Sequence, residues 1–175
     1  MDSHNLATRY DAPEMDWDLV RTQVRAATAP GAGGPGRYTW WLTTLNADGS
    51  PHTNALGALW HEDAVWFTTG RNTRRGHNLA RDPRVTASVS VPEFDLVVEG
   101  QAEEVTDPEI VADMSRRWNA AGGWPCEPDE SGTALTAPYS AQSAGAPPWH
   151  VYRVATTSAH LVATTAPFGA MRWNF

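Results

Sequence analysis

No lysine occurs in this sequence; all 13 basic residues are arginine. A Schiff base on an active-site lysine is therefore excluded. The single cysteine, Cys126, has no partner for an internal disulfide and suits a reducing compartment, so a cytoplasmic protein is expected. No apolar run approaches the ~20 residues of a membrane helix, so no membrane partner is expected. The start, "MDSHNLATRYDAPEMDWD", lacks a basic stretch followed by an apolar one and is not expected to be a secretory signal. A net charge of -7 leaves no broad cationic footprint, which argues against general nucleic-acid binding. Catalytic signatures are missing as well: there is no G-x-S-x-G, H-E-x-x-H, C-x-x-C or P-loop. The histidines (His4, His52, His61, His77, His150 and His160) are scattered, and none forms a tight pair with a carboxylate at helical spacing, so no metal site is expected. If the protein is an enzyme, its chemistry falls to a cofactor.

What is present is a chain of 175 residues, 41% hydrophobic, enough for one domain with a real core. Residues 1–15 read as a polar N-terminal tail, and residues 16–175 as one domain. Asp16 can cap a helix "WDLVRTQVRAA" that puts Trp17, Val20 and Val24 on one face. "TAPGAGGPG" ends that helix as a loop. The strand-like segments "RYTWWLTTLN" and "PHTNALGALW" flank the turn "ADGS". The second of them is expected to form a hairpin with "AVWFTTG" across the acidic turn "HED". His52 and His61 then sit near opposite ends of one strand. A short helix "RRGHNLA" precedes an antiparallel pair, "VTASVSV" and "FDLVVEGQAEEV". "TDPEIVADMSRRWNA" reads as a helix with Ile110, Met114 and Trp118 on one face. A long Gly/Pro-rich loop fills residues 121–148 and is expected to be functional or mobile. "WHVYRVAT", "SAHLVATT" and "AMRWNF" read as three closing strands. Many short strands and few helices indicate a mainly β domain, a barrel or a sandwich.

The stretch "TTGRNTRRGHNLARDPRV" carries the best functional lead. Arg74 and Arg75 open a helix, where free backbone N–H groups and the positive dipole end favour an anion. With the Thr73 hydroxyl they can form a phosphate cradle; the alternative is a solvated helix end. Nine tryptophans suit either planar ligands or a core.

The order of "YTWWLTTLNADGSPHTNAL", "AVWFTTG" and "NTRRGHNLARDPRVTASV", covering residues 37–105, resembles the pyridoxamine 5'-phosphate oxidase-like superfamily. Its members are flavin- and deazaflavin-binding split β-barrels, and the resemblance extends more weakly to the closing "RWNF". It implies a mainly β split barrel of the FMN-binding type that is homodimeric, with the cofactor in a groove between subunits. Cofactor-binding residues implied are Thr73, Arg74 and Arg75 at the phosphate, Phe67, Thr68 and Thr69 along the ring and its ribityl chain, and Thr53, Asn54 and Ala55 near the ring. Trp60, Trp149 and the 121–148 loop are expected as substrate walls, with one of Trp40 and Trp41, since neighbours on a strand face opposite ways.

The pattern departs from the true oxidases of that superfamily. Asn54 and Leu59 stand where those place an arginine and a lysine, and their substrate-binding tail is not recognisable, so vitamin B6 oxidation is not expected. The "RNLARDPRV"-like run after the basic pair, here "RGHNLARDPRV", resembles the branch using coenzyme F-420, which also holds FMN binders. The expected function is a flavin- or deazaflavin-dependent oxidoreductase, coenzyme F-420 favoured over FMN, moving hydride to or from a small organic substrate. The alternative is a non-catalytic flavin, haem or tetrapyrrole carrier on the same barrel.

Overall fold

The computed structural model describes residues 1–28, 38–141 and 144–175. The "TAPGAGGPG" loop after Thr28 therefore lies outside the described residues. Helix α1 spans Trp17–Ala27 and forms as its spacing requires: the Asp16 carboxylate accepts from the Asp18 N–H, and Trp17, Val20 and Val24 are buried. Polar residues at the N-terminus are not loose. Asp2–Asn5 form β1, an edge strand paired with β11 (Ala170–Asn174).

Strands β2 (Trp40–Leu45) and β3 (Pro51–Leu56) make the first hairpin. Its turn needs Gly49 at φ 81°, and Asp48 accepts from both the N–H and the hydroxyl of Ser50. Alternation decides the two tryptophans: Trp40 is buried, whereas Trp41 points outward and is 49% exposed. The segment expected as one strand breaks at Gly57 and Ala58. β4 (Leu59–His61) is separate, and it is β4, not β3, that pairs with β5 (Ala64–Thr69). His52 and His61 consequently lie on different strands. Glu62 and Asp63 both adopt left-handed backbone (φ 49° and 56°), the twist a two-residue hairpin loop prefers. Asp63 then takes Arg21 at 2.6 Å and Arg25 at 3.4 Å, which ties α1 to this turn.

Helix α2 (Arg74–Arg81) precedes β6 (Arg84–Ser90) and β7 (Phe94–Val105), the antiparallel pair read from the sequence. Helix α3 (Pro108–Gly122) is capped by Asp107 and ends on Gly123 at φ 64°. Its buried face is Val111, Met114 and Trp118; Ile110, expected there, is 41% exposed. The 121–148 segment carries a small ribbon of β8 (Glu127–Pro128) and β9 (Leu135–Thr136). The two strands expected near the C-terminus are one, β10 (His150–Ala163), with a bulge between Thr156 and Ser158.

β10 organises the barrel. One edge pairs with β7 along nearly its full length. The other edge forks, pairing with β5 at His150–Arg153 and with β11 at Ser158–Val162. The resulting sheet, β1-β11-β10-β7-β6-β2-β3 with β5 and β4 on the branch, is a mainly β split barrel. Two cores follow. The inner one fills the barrel with residues such as Trp40, Phe67, Leu96, Leu161 and Trp173. The outer one packs α3 and the ribbon on the back of β5 through Trp66, Val111, Met114, Trp118, Cys126, Leu135 and Val151. Cys126 belongs to it as a passive thiol, its pKa pushed up by burial. No helix among the described residues is long and apolar enough to cross a membrane.

Candidate cofactor site

β5 ends at Thr68 and Thr69, and the chain turns through Gly70 into α2. Thr73 is the N-cap. Its hydroxyl accepts from the Gly76 N–H (3.0 Å), donates to the Gly70 carbonyl (2.8 Å) and lies 2.9 Å from the Thr69 hydroxyl. That hydroxyl is occupied in holding the turn. Gly76 is required beneath it, because a Cβ there would collide with the carbonyls of Gly70 and Arg71.

The two arginines diverge. Arg74 is exposed. Arg75 is half-buried, its Nη2 donating to Asn54 Oδ1 at 2.7 Å and its Nη1 to the Thr68 carbonyl at 3.4 Å, while Nε is buried without a partner. No carboxylate of the described residues lies within ion-pairing distance of it. Burial pulls its pKa below the usual arginine value, yet a guanidinium stays charged near neutrality. His52, also on β3, is held below the ordinary histidine range by burial and then by Arg74 and Arg75. This corner of the protein carries positive charge that no carboxylate among the described residues neutralises.

Arg75 opens on a cavity of about 610 Å³. Ala55 and Thr68 line the same end, and Leu56, Gly57 and Leu59 continue the floor. Its wall is also aromatic: Trp118 from α3, Trp124 and Tyr139 from the 121–148 segment, and Tyr38 before β2. The first three are anchored. Trp118 Nε1 donates to the Gly57 carbonyl (3.0 Å), Trp124 Nε1 to the Tyr139 carbonyl (2.7 Å), and the Tyr139 hydroxyl to the Gly123 carbonyl (3.2 Å).

Of the residues expected at the cofactor, Ala55, Thr68 and Arg75 meet on this cavity, and Asn54 reaches it through Arg75. Thr53 is exposed, its hydroxyl 2.8 Å from the Thr43 hydroxyl, and does not line the cavity. Phe67 is an inner-core residue stacked on Tyr152, and Thr69 is buried against Thr73. Trp60 stacks parallel to Trp40 at 6.1 Å and borders a separate cavity of about 260 Å³ with Arg25, His61 and Arg117. Trp149 is buried behind the loop, its Nε1 donating to the carbonyls of Ala144 and Gly145. The tryptophans on the cavity wall are thus Trp118 and Trp124, rather than Trp60 and Trp149. Helical spacing gives Trp118 a buried face but does not tell core from cavity, and the aromatic cues for the loop were Trp124 and Tyr139 within its Gly/Pro-rich stretch.

Residues 34–163 match the pyridoxamine 5'-phosphate oxidase family, and the chain belongs to that family. Solved structures share its fold. A pyridoxamine 5'-phosphate oxidase-related, FMN-binding protein from Nostoc punctiforme PCC 73102 superposes with a TM-score of 0.61 at 11% identity, covering 93% of this chain and 92% of the other. An F420 reductase gives 0.50 at 24% identity, with 77% and 92% covered. A haem-binding protein from Mycobacterium smegmatis gives 0.61 at 14% identity, with 90% and 59% covered. At these identities the likeness is one of fold. No curated protein matches the sequence.

Proposed function

We propose that this chain is a flavin- or deazaflavin-dependent oxidoreductase, with coenzyme F-420 favoured over FMN, acting on a small organic substrate. One observation carries the reading: a half-buried Arg75 with no acidic partner faces a cavity of about 610 Å³ beside the start of α2. A desolvated cation of this kind is costly unless an anion joins it. The residues fit a phosphate-bearing cofactor. The orphaned Nε of Arg75, the first N–H groups of α2 and the nearby His52 all favour negative charge.

When bound, such a cofactor supplies the ring that gives or takes hydride. The chain's own part is placement and exclusion of water. Asn54 orients the Arg75 guanidinium toward the phosphate, and Ala55 and Thr68 line the adjoining stretch. Among the described lining residues there is neither a carboxylate nor a histidine, so the protein offers no such group as general base. Asn54 and Leu59 stand where true pyridoxamine phosphate oxidases place an arginine and a lysine that serve FMN, so two cationic contacts of those enzymes are missing, and their substrate-binding tail is not recognisable. The protein works as a homodimer in this reading; the outer sheet face exposes Trp41 and Val162, apolar surface suited to a second copy.

The test is a titration of the purified protein with FMN and with coenzyme F-420, followed by absorbance and fluorescence. Binding of one of them in the micromolar range supports the proposal. Failure of both below about millimolar, an interaction of only ~4 kcal/mol, overturns it. A bound cofactor that never exchanges hydride with any acceptor would instead identify a carrier.

A further inference from the structure

The aromatic end of the cavity has a composition that limits what can occupy it. Trp118 is 5% exposed, and its ring lies 6.2 Å from that of Trp124 at 80°. The two indoles therefore form a corner of nearly perpendicular walls. Trp124 is braced from behind by Trp149, 5.6 Å away at 61°, and by its hydrogen bond to the Tyr139 carbonyl. Tyr139 closes the outer side and Leu59 the floor. A corner of this shape offers one indole for face-to-face stacking and the other for edge contact, the two arrangements that aromatic rings favour. Puckered, saturated molecules of equal size gain neither. The only charged side chain among the described lining residues is Arg75. Once an anionic cofactor neutralises it, no other charged side chain among the described lining residues compensates a charge on the second occupant.

Resting on the cofactor reading above, we propose that the corner formed by Trp118 and Trp124 binds the second reactant, an uncharged, flat, conjugated ring compound. The cavity volume of about 610 Å³ lies within the roughly 300 to 1,000 Å³ of pockets that hold a single small ligand.

The test uses two neutral probes with one carbon skeleton, 2-naphthol and its saturated form decahydro-2-naphthol, with 2-naphthoate as the charged counterpart. Binding is read by calorimetry on the full chain, with and without saturating cofactor. The expected order is 2-naphthol tightest, with the saturated and charged probes each weaker roughly tenfold. Trp124→Leu should weaken 2-naphthol roughly tenfold and Trp124→Phe should restore most of it, while cofactor affinity stays unchanged. If Trp124→Leu fails to fold, Tyr139→Leu, at a side chain 60% exposed, gives the same comparison with a smaller loss. Equal binding of flat and saturated probes overturns the proposal. So does a loss of cofactor affinity in Trp124→Leu equal to the loss for 2-naphthol, which would assign the corner to the cofactor ring. Selective 2-naphthol binding with no binding of either cofactor overturns the oxidoreductase reading and leaves the aromatic site standing.

Discussion

The two ends of the cavity are built on different principles. At the α2 end, position depends on polar contacts that interlock: Thr73 caps the helix, Gly76 lets the turn close, and Asn54 holds Arg75. On the α3 side, packing is added to single hydrogen bonds from Trp118, Trp124 and Tyr139, with Trp118 and Leu135 set in the outer core. The first end carries uncompensated charge and the second carries none. Polar networks fix one geometry and lose it abruptly, whereas packed aromatic walls tolerate change in proportion to the volume lost. The difference teaches that affinity for an anion and selectivity for a ring compound are separately adjustable in this molecule.

Substitutions can break that separation or sharpen it. The largest effect is expected from Gly76→Ala, where a methyl group runs into two backbone carbonyls. A loss of about 3 kcal/mol in chemical denaturation should accompany a collapse of cofactor binding. Leu135→Ala, a fully buried site in the outer core, should cost a similar ~2–4 kcal/mol. Its cofactor affinity should nonetheless remain that of the parent, which is the sharper half of the comparison; a matching loss of affinity would show the two ends to be one unit.

Arginine replacements come next. Arg75→Met should weaken the bound cofactor by about 2 kcal/mol, near thirtyfold, and Arg74→Met by only a few-fold, because only Arg75 is desolvated. Without cofactor, Arg75→Met should be no less stable than the parent, since it removes a buried charge lacking a carboxylate. Comparable losses for both arginines would mean that the ligand sits over the helix end and not in the cavity.

The smallest effect concerns His52. Its folded pKa is depressed, so the neutral form is favoured in the folded state. This contribution to stability is present above the unfolded histidine value and fades as pH falls through the lower folded value. NMR titration should find the His52 pKa below the usual histidine range, rising in Arg75→Met and again when phosphate is added. An unchanged value in Arg75→Met would place the arginine's field elsewhere.

Much of the frame was legible because it rests on local rules. Asp16 with Trp17, Val20 and Val24 specified α1, and "DPRV" with alternating small and branched residues specified β6. Where neighbours decided, the residues alone misled. Thr156 to Ser158 looked like a break between two strands but is a bulge bridged by unbroken pairing with β7. Gly57 and Ala58 looked like strand interior but free β4 to pair with β5. Ile110 fits the period of α3 as well as Val111 does, and only the placement of β5 selects the latter. The arginine pair was visible as chemistry, but its division into an exposed and a desolvated member depends on β3 lying alongside. Of the aromatic corner only the 121–148 segment was expected as a wall; Trp118 was not, since α3 and that segment meet only in the folded molecule.

β5 separates the two cores, with Val65 and Phe67 facing the barrel and Ala64 and Trp66 facing α3. It works as a party wall between two households. Changes in α3 press on the wall's outer side, so this layer can be rebuilt for a new substrate while the barrel behind it keeps its shape. Variation among relatives should therefore collect on the α3 side. Directed evolution of specificity would begin there.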